Sequence, residues 1–228
     1  MNSTHIAPEL FEFFRELKRN NSKQWFQSNK ERYEQQVRLP LQRFIMDFEQ
    51  PLRRISPHYR ADPRPIGGSL FRIYRDVRFS PDKSPYKTHG GIQFRHRMGK
   101  DVHAPGFYLH LEPDNVFAAA GIWHPGSAAL GRIREAIAAD PVKWLRVKND
   151  PGFSKAYELG GDSLKRAPQG YDPEHPQIED LRRKDFIASA ALSEREACAP
   201  DFPDRYARLC ALAAPFMRFI TRALDLLW

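Results

Sequence analysis

The stretch RIYRDVRFSPDKSPYKTHGG, residues 72–91, packs arginines, lysines and aspartates among aromatics and prolines. An arginine fork matches phosphate and carboxylate groups through two parallel hydrogen bonds, and a lysine adds a point charge. Arg72, Arg78, Lys83, Tyr86 and Lys87 are therefore expected to hold an anionic ligand, with Tyr86 offering a hydroxyl donor. Arg75 falls on the apolar side of an alternation set by Phe71, Ile73, Val77 and Phe79. A buried arginine needs a carboxylate partner, so Arg75 and Asp82 are expected as a structural ion pair. Further on, GFYLHLEP puts His110 and Glu112 on one strand face with Tyr108. In an antiparallel sheet that face can coincide with the one carrying Arg72, Asp76 and Arg78. An acid–base pair then lies beside an anion clamp, an arrangement suited to hydrolysis or group transfer on a phosphate- or carboxylate-bearing small molecule. His110, Glu112 and Asp76 are the expected catalytic residues.

The charge balance points the same way. Between Arg72 and Lys100 lie eight basic and two acidic residues, a net +6 of the chain's +8. Such focusing favours an anionic partner. A nucleic acid is an open alternative, because Phe79, Tyr86 and Phe94 alternate with the basic residues and aromatics can stack bases. A third alternative is a charged network that only holds the fold together. His89, His103 and His124 lie in adjoining loops, but no HxH or HExxH spacing supports a metal ion, so none is expected and the cofactor is left unknown. Neither a phosphate-binding GxxxxGK[ST] loop nor GxGxxG after a strand nor a GxSxG elbow occurs. Cys198 and Cys210 read as small buried thiols rather than a disulfide framework. No apolar run reaches the roughly 18 residues of a membrane span, and the N-terminus lacks a secretory pattern. A soluble, cytoplasmic protein with no membrane partner is expected.

These residues need a scaffold, and the hydrophobic periodicity supplies one. Leu10, Phe11, Phe14 and Leu17 recur at helical spacing from Pro8, and Asn21 or Ser22 caps a second helix carrying Trp25, Phe26, Tyr33 and Val37. A third starts near Pro40, and Pro51 with SPHYRADPRP closes the helical N-terminal third. The period then changes to two in residues 71–79, 92–95, 107–112 and 115–123, predicting half-buried antiparallel strands joined by turns. SPDK is expected as a type I turn with Pro81 in second position. Residues 157–166 suggest a hairpin through Gly160-Gly161. Helices are expected from Ser127, over 142–149, around 178–184 and 185–192, and in a long last segment that Pro215 should split. The fold class is α+β: a central antiparallel β-sheet with helices from both termini packed on it, in a single domain over 1–228.

Arg72, Arg75, Asp76, Arg78, Phe79, Asp82, Lys83 and Tyr86 stand in the pattern of the DUF2461 family, which the chain resembles. WFQSNKERY, FYLHLEP with GIWHP, and LKRAPQGYDPEHP resemble the family too, so the likeness covers almost the whole chain. The family is one of unknown function, and the resemblance implies no reaction.

Overall fold

The computed structural model describes residues 6–99 and 103–228. Helix α1 (Pro8–Arg19) buries Leu10, Phe11, Phe13, Phe14 and Leu17 along one face. Ser22 caps α2 (Lys23–Ser28) by accepting from the Trp25 amide. The expected second helix continues as α3 (Lys30–Tyr33) and a π-helical turn (Glu34–Arg38), then runs into α4 (Leu39–Asp47). The widened turn lies directly before Pro40, which has no N–H for the carbonyl four residues back. The helical third closes where SPHYRADPRP begins, after Ile55, but Pro51 itself does not end it. It lies in the first turn of α5 (Glu49–Ile55), where no intrahelical donor is required.

Five strands form one antiparallel sheet in the order β1-β2-β3-β5-β4: β1 (Gly90–Arg95), β2 (Gly106–Glu112), β3 (Asn115–Ile122), β4 (Glu158–Gly160) and β5 (Phe186–Leu192). Between β3 and β4 come α6 (Ser127–Ala139), α7 (Pro141–Lys148) and α8 (Pro151–Ala156). After β4 comes the short α9 (Ile178–Leu181), and after β5 the chain ends in α10 (Glu194–Ala197), α11 (Phe202–Leu212) and α12 (Ala214–Ala223). The final helical segment breaks at Ala213, two residues before Pro215. The α+β class holds. No helix among the described residues is long and apolar enough to cross a membrane.

The sheet's two faces have different neighbours. Ile92, Phe94, Phe107, Leu109, Leu111, Ala118, Phe186 and Ala188 alternate onto one face and are fully buried beneath the helices. Trp144, Tyr206 and Phe216 complete that core. The other face carries Gly91, Gln93, Tyr108, His110, Glu112, Phe117, Ala119 and Ser189, aligned across strands by the register. No helix is needed there because residues 69–89 fold back over the β1–β2 end. The Phe71 amide donates to the Gly91 carbonyl at 2.9 Å, and the Gln93 amide to the Ser69 carbonyl at 2.8 Å.

Four expected elements take a different form. Residues 71–79 are not a strand: only isolated bridges form, Leu70 with Ile92 and Tyr74 with Tyr86. Pro81 and Pro85 bring no amide to a ladder, and Asp76 and Asp82 engage nearby backbone instead. The turn closes three residues earlier than SPDK, over 77–80, with the Ser80 amide donating to the Val77 carbonyl. Residues 185–192 form β5 rather than a helix, and β4 pairs with β5 rather than folding back on itself. The alanine-rich IASAAL has helix-favouring composition, but between β3 and β4 its period of two places Ala188 and Ala190 in the core.

Candidate functional site

The β1–β2 register builds the site. Gly91 lies opposite His110 and Gln93 opposite Tyr108, and the same alternation carried back past Gly90 puts His89 beside Glu112 on the outer face. The donor atoms of His89, His110 and Glu112 all lie within 4.8 Å of one another. The rings of His89 and His110 are 4.4 Å apart, and His110 stacks on Phe117 at 4.6 Å.

Second contacts fix each of these groups. The Tyr108 hydroxyl pairs with His110 Nδ1 at 2.9 Å, and His110 Nε2 faces Glu112 Oε2 at 3.3 Å. The other Glu112 oxygen accepts from Thr88 at 3.2 Å, and Asn115 donates to Oε2 at 3.3 Å. Gly91 makes the arrangement possible. A side chain there would begin 2.8 Å from the Tyr108 hydroxyl and 3.2 Å from the Phe71 ring.

The electrostatics follow from burial. Burial lowers His89, with the positive charges of His110 and Lys87 adding to it and Glu112 opposing, down to about 4. Burial also lowers His110, partly offset by Glu112. Burial pushes the Glu112 carboxyl upward, but hydrogen bonds from Asn115, His110 and Thr88 outweigh it, and the group ends below its ordinary value. Lys87 is lowered by burial and by Arg72. Burial raises Tyr108, which keeps its proton. At neutral pH the cluster therefore presents uncharged imidazole nitrogens and one carboxylate.

Beside it an apolar groove of about 380 Å³ runs across the outer face, lined by Phe71, Tyr108, Phe117, Ala119, Trp123 and Ile187 among others. Tyr108 and Phe117 wall the groove and flank His110 at the same time. Trp123, half exposed, stands at the opposite rim near His103 and His124. The backbone amide of His124 is held by buried Asp185.

The charged motif is arranged differently from its expected strand. Arg75 bonds Asp82, whose other oxygen accepts from the Ser84 amide and hydroxyl. Arg78 forks onto Asp76 at 2.7 and 3.0 Å, and both are exposed. Asp76 thus engages Arg78 rather than His110 or Glu112, because its segment loops away from the sheet face instead of lying along it. Lys83 donates to the Val77 carbonyl and Lys87 to the Arg72 carbonyl. The Tyr86 ring is buried flat on Phe26 at 4.1 Å. Arg72 is exposed. Of the expected ligand-binding residues, Lys87 alone is tied to the cluster, through its field on His89, and to the groove wall, lying 5.6 Å over the Phe71 ring. Arg95 and Arg97 lie elsewhere, lining a separate polar cavity of about 140 Å³ with Arg60 and Arg64. Lys100 falls outside the described residues. The sequence reading missed His89, although alternation back from Gly91 and Gln93 through His89 to Lys87 was the available signal.

The model of a family described as a conserved hypothetical protein (DUF2461) matches residues 9–219. A comparison with curated proteins found no match. A comparison with solved structures found none either.

Proposed function

The chain belongs to the DUF2461 family, and since that membership carries no reaction with it, we propose from the geometry that the outer-face groove binds a small molecule whose acidic group lies toward Lys87 and His89. One observation carries this reading: an apolar groove of drug-like size meets a hydrogen-bonded Tyr108–His110–Glu112 column. The groove takes the apolar body of the ligand, and the column fixes its polar end. A proton accepted by His110 is balanced by the Glu112 carboxylate, which is what a base needs in hydrolysis or group transfer. Thermal-shift screening of carboxylated and phosphorylated aromatic compounds tests this, with Ala119→Trp plugging the groove. A hit whose stabilisation vanishes in Ala119→Trp is the expected result. No hit with the wild type, or hits unaffected by the plug, sinks the proposal.

A second reading, nucleic-acid binding, has its own observation. Phe79 is 94% exposed with the Arg78 guanidinium 5.8 Å over its ring. It requires retention on single-stranded DNA or RNA at low salt that falls steeply as salt rises and is reduced in Phe79→Ala.

A further inference from the structure

We propose that His89, His110 and Glu112 hold a divalent transition-metal ion at the polar end of the groove. The inference deepens the small-molecule reading by giving that site a cofactor, and with the ion bound His110 serves as a ligand rather than as a base. The three donors come from the Lys87–His89 approach to β1 and from β2, and the cross-strand register brings them together. Their ligand atoms all fall within 4.8 Å of one another, so a shift of about 1.5 Å at most brings them to the spacing of roughly 3.3 Å between donors around one tetrahedral ion. The 3.3 Å between His110 Nε2 and Glu112 Oε2 is long for a hydrogen bond to a carboxylate. It is close to the separation of about 3.3 Å between two donors that each lie about 2.0 Å from a tetrahedral ion.

The surroundings suit a metal. Tyr108 on His110 Nδ1, and Thr88 and Asn115 on Glu112, orient the ligands from behind as outer partners of metal sites do. A neutral tyrosine hydroxyl both donates and accepts. It can donate a hydrogen bond to Nδ1 in the empty site and accept one from the Nδ1–H once Nε2 binds the ion. The proton on Nε2 then moves to Nδ1, so the ring stays neutral. Two imidazoles and a carboxylate favour zinc, iron(II), cobalt(II) or manganese(II) over magnesium and calcium, which prefer all-oxygen shells. Three protein ligands leave coordination positions open toward the ligand.

The test is isothermal titration calorimetry of tag-free, chelator-treated protein with Zn²⁺, Co²⁺, Mn²⁺, Mg²⁺ and Ca²⁺, with a visible spectrum of the Co²⁺ form. The expected result is one site per chain, with zinc and cobalt far tighter than magnesium or calcium. His89→Ala and Glu112→Gln should each weaken it at least tenfold, and His175→Ala should not. His89 is half-buried and precedes the strand, so its variant retains the fold by circular dichroism even where a His110 variant does not. Absence of a stoichiometric site, or a site that survives both His89→Ala and Glu112→Gln, overturns the proposal. Repeating the thermal-shift screen with and without the bound ion separates the two ideas. Metal without a groove ligand defeats only the ligand reading, and a groove ligand without metal defeats only this one.

Discussion

Gly91 has no side chain, and for that reason it governs the His110 environment. Adding one methyl group there drives it into the Tyr108 hydroxyl and the Phe71 ring. Gly91→Ala should therefore displace Tyr108 from His110 while the fold persists. We expect divalent-ion affinity to fall about 10–100-fold, as in Tyr108→Phe, which removes the same outer partner by a different route. Calorimetry beside circular dichroism measures both. A different buried charge makes the stability fall at low pH. Asp180, 1% exposed, accepts from Trp144 and Lys148 at 2.8 Å and from Arg183 at 3.0 Å. Burial pushes its carboxyl upward, but these three donors outweigh it and hold it below the ordinary value. Its contribution is therefore complete above the unfolded carboxylate pKa of about 4 and is lost as pH falls through the lower folded value. Asp180→Asn should cost about 3–5 kcal/mol at neutral pH, the range for breaking a buried ion pair. The gap to the wild type should narrow steadily in urea melts run below pH 4. Residue types were legible in the sequence, and so was the sharing of a face by Tyr108, His110 and Glu112. The Trp144 and Lys148 partners of Asp180 were not, because they lie 36 and 32 positions away and only tertiary packing brings them near.

Residues 71–79 read as a strand from their alternation alone, yet lie within a broad excursion over 69–89 pinned at two bridges. Alternation reports which residues prefer burial. It does not report whether a partner edge exists, and here β1 pairs with β2 on one side and only briefly with residues 69–71 on the other. The aspartates decide the rest by bonding nearby amides and guanidinium groups within the loop. The Arg75–Asp82 pair is partly exposed and organises the loop rather than the core. In Arg75→Ala, amide hydrogen exchange over residues 76–84 should speed up while β1 and β2 amides stay protected. Slowing or no change in the loop would contradict this role. The β5 misreading has the same origin. An alanine-rich segment is a strand when both neighbours offer edges, and that information is not local.

Across the whole molecule, opposite faces of one strand carry separate duties. Leu109 and Leu111 are fully buried against the helices, while Tyr108, His110 and Glu112 face the groove side. Leu111→Ala should cost about 2–5 kcal/mol in denaturant unfolding through the cavity it leaves. It should leave ion affinity within a few-fold of the wild type. His89→Ala should do the reverse. The layered architecture was legible because it rests on periods of two and 3.6 that helices and strands print directly in sequence. The convergence of His89 with His110 was hidden because it depends on register, and register is set by pairing across the sheet. The groove also contains its own optical reporter. Trp144 is buried in the core, Trp25 packs on Phe13 and Trp228 on Tyr59, which leaves half-exposed Trp123 as the indole lining the groove. A ligand that fills the groove must strip water from that indole. Occupancy should then appear as a blue-shifted, brighter emission component that Trp123→Phe removes, so binding can be followed without labelling the protein or knowing its substrate.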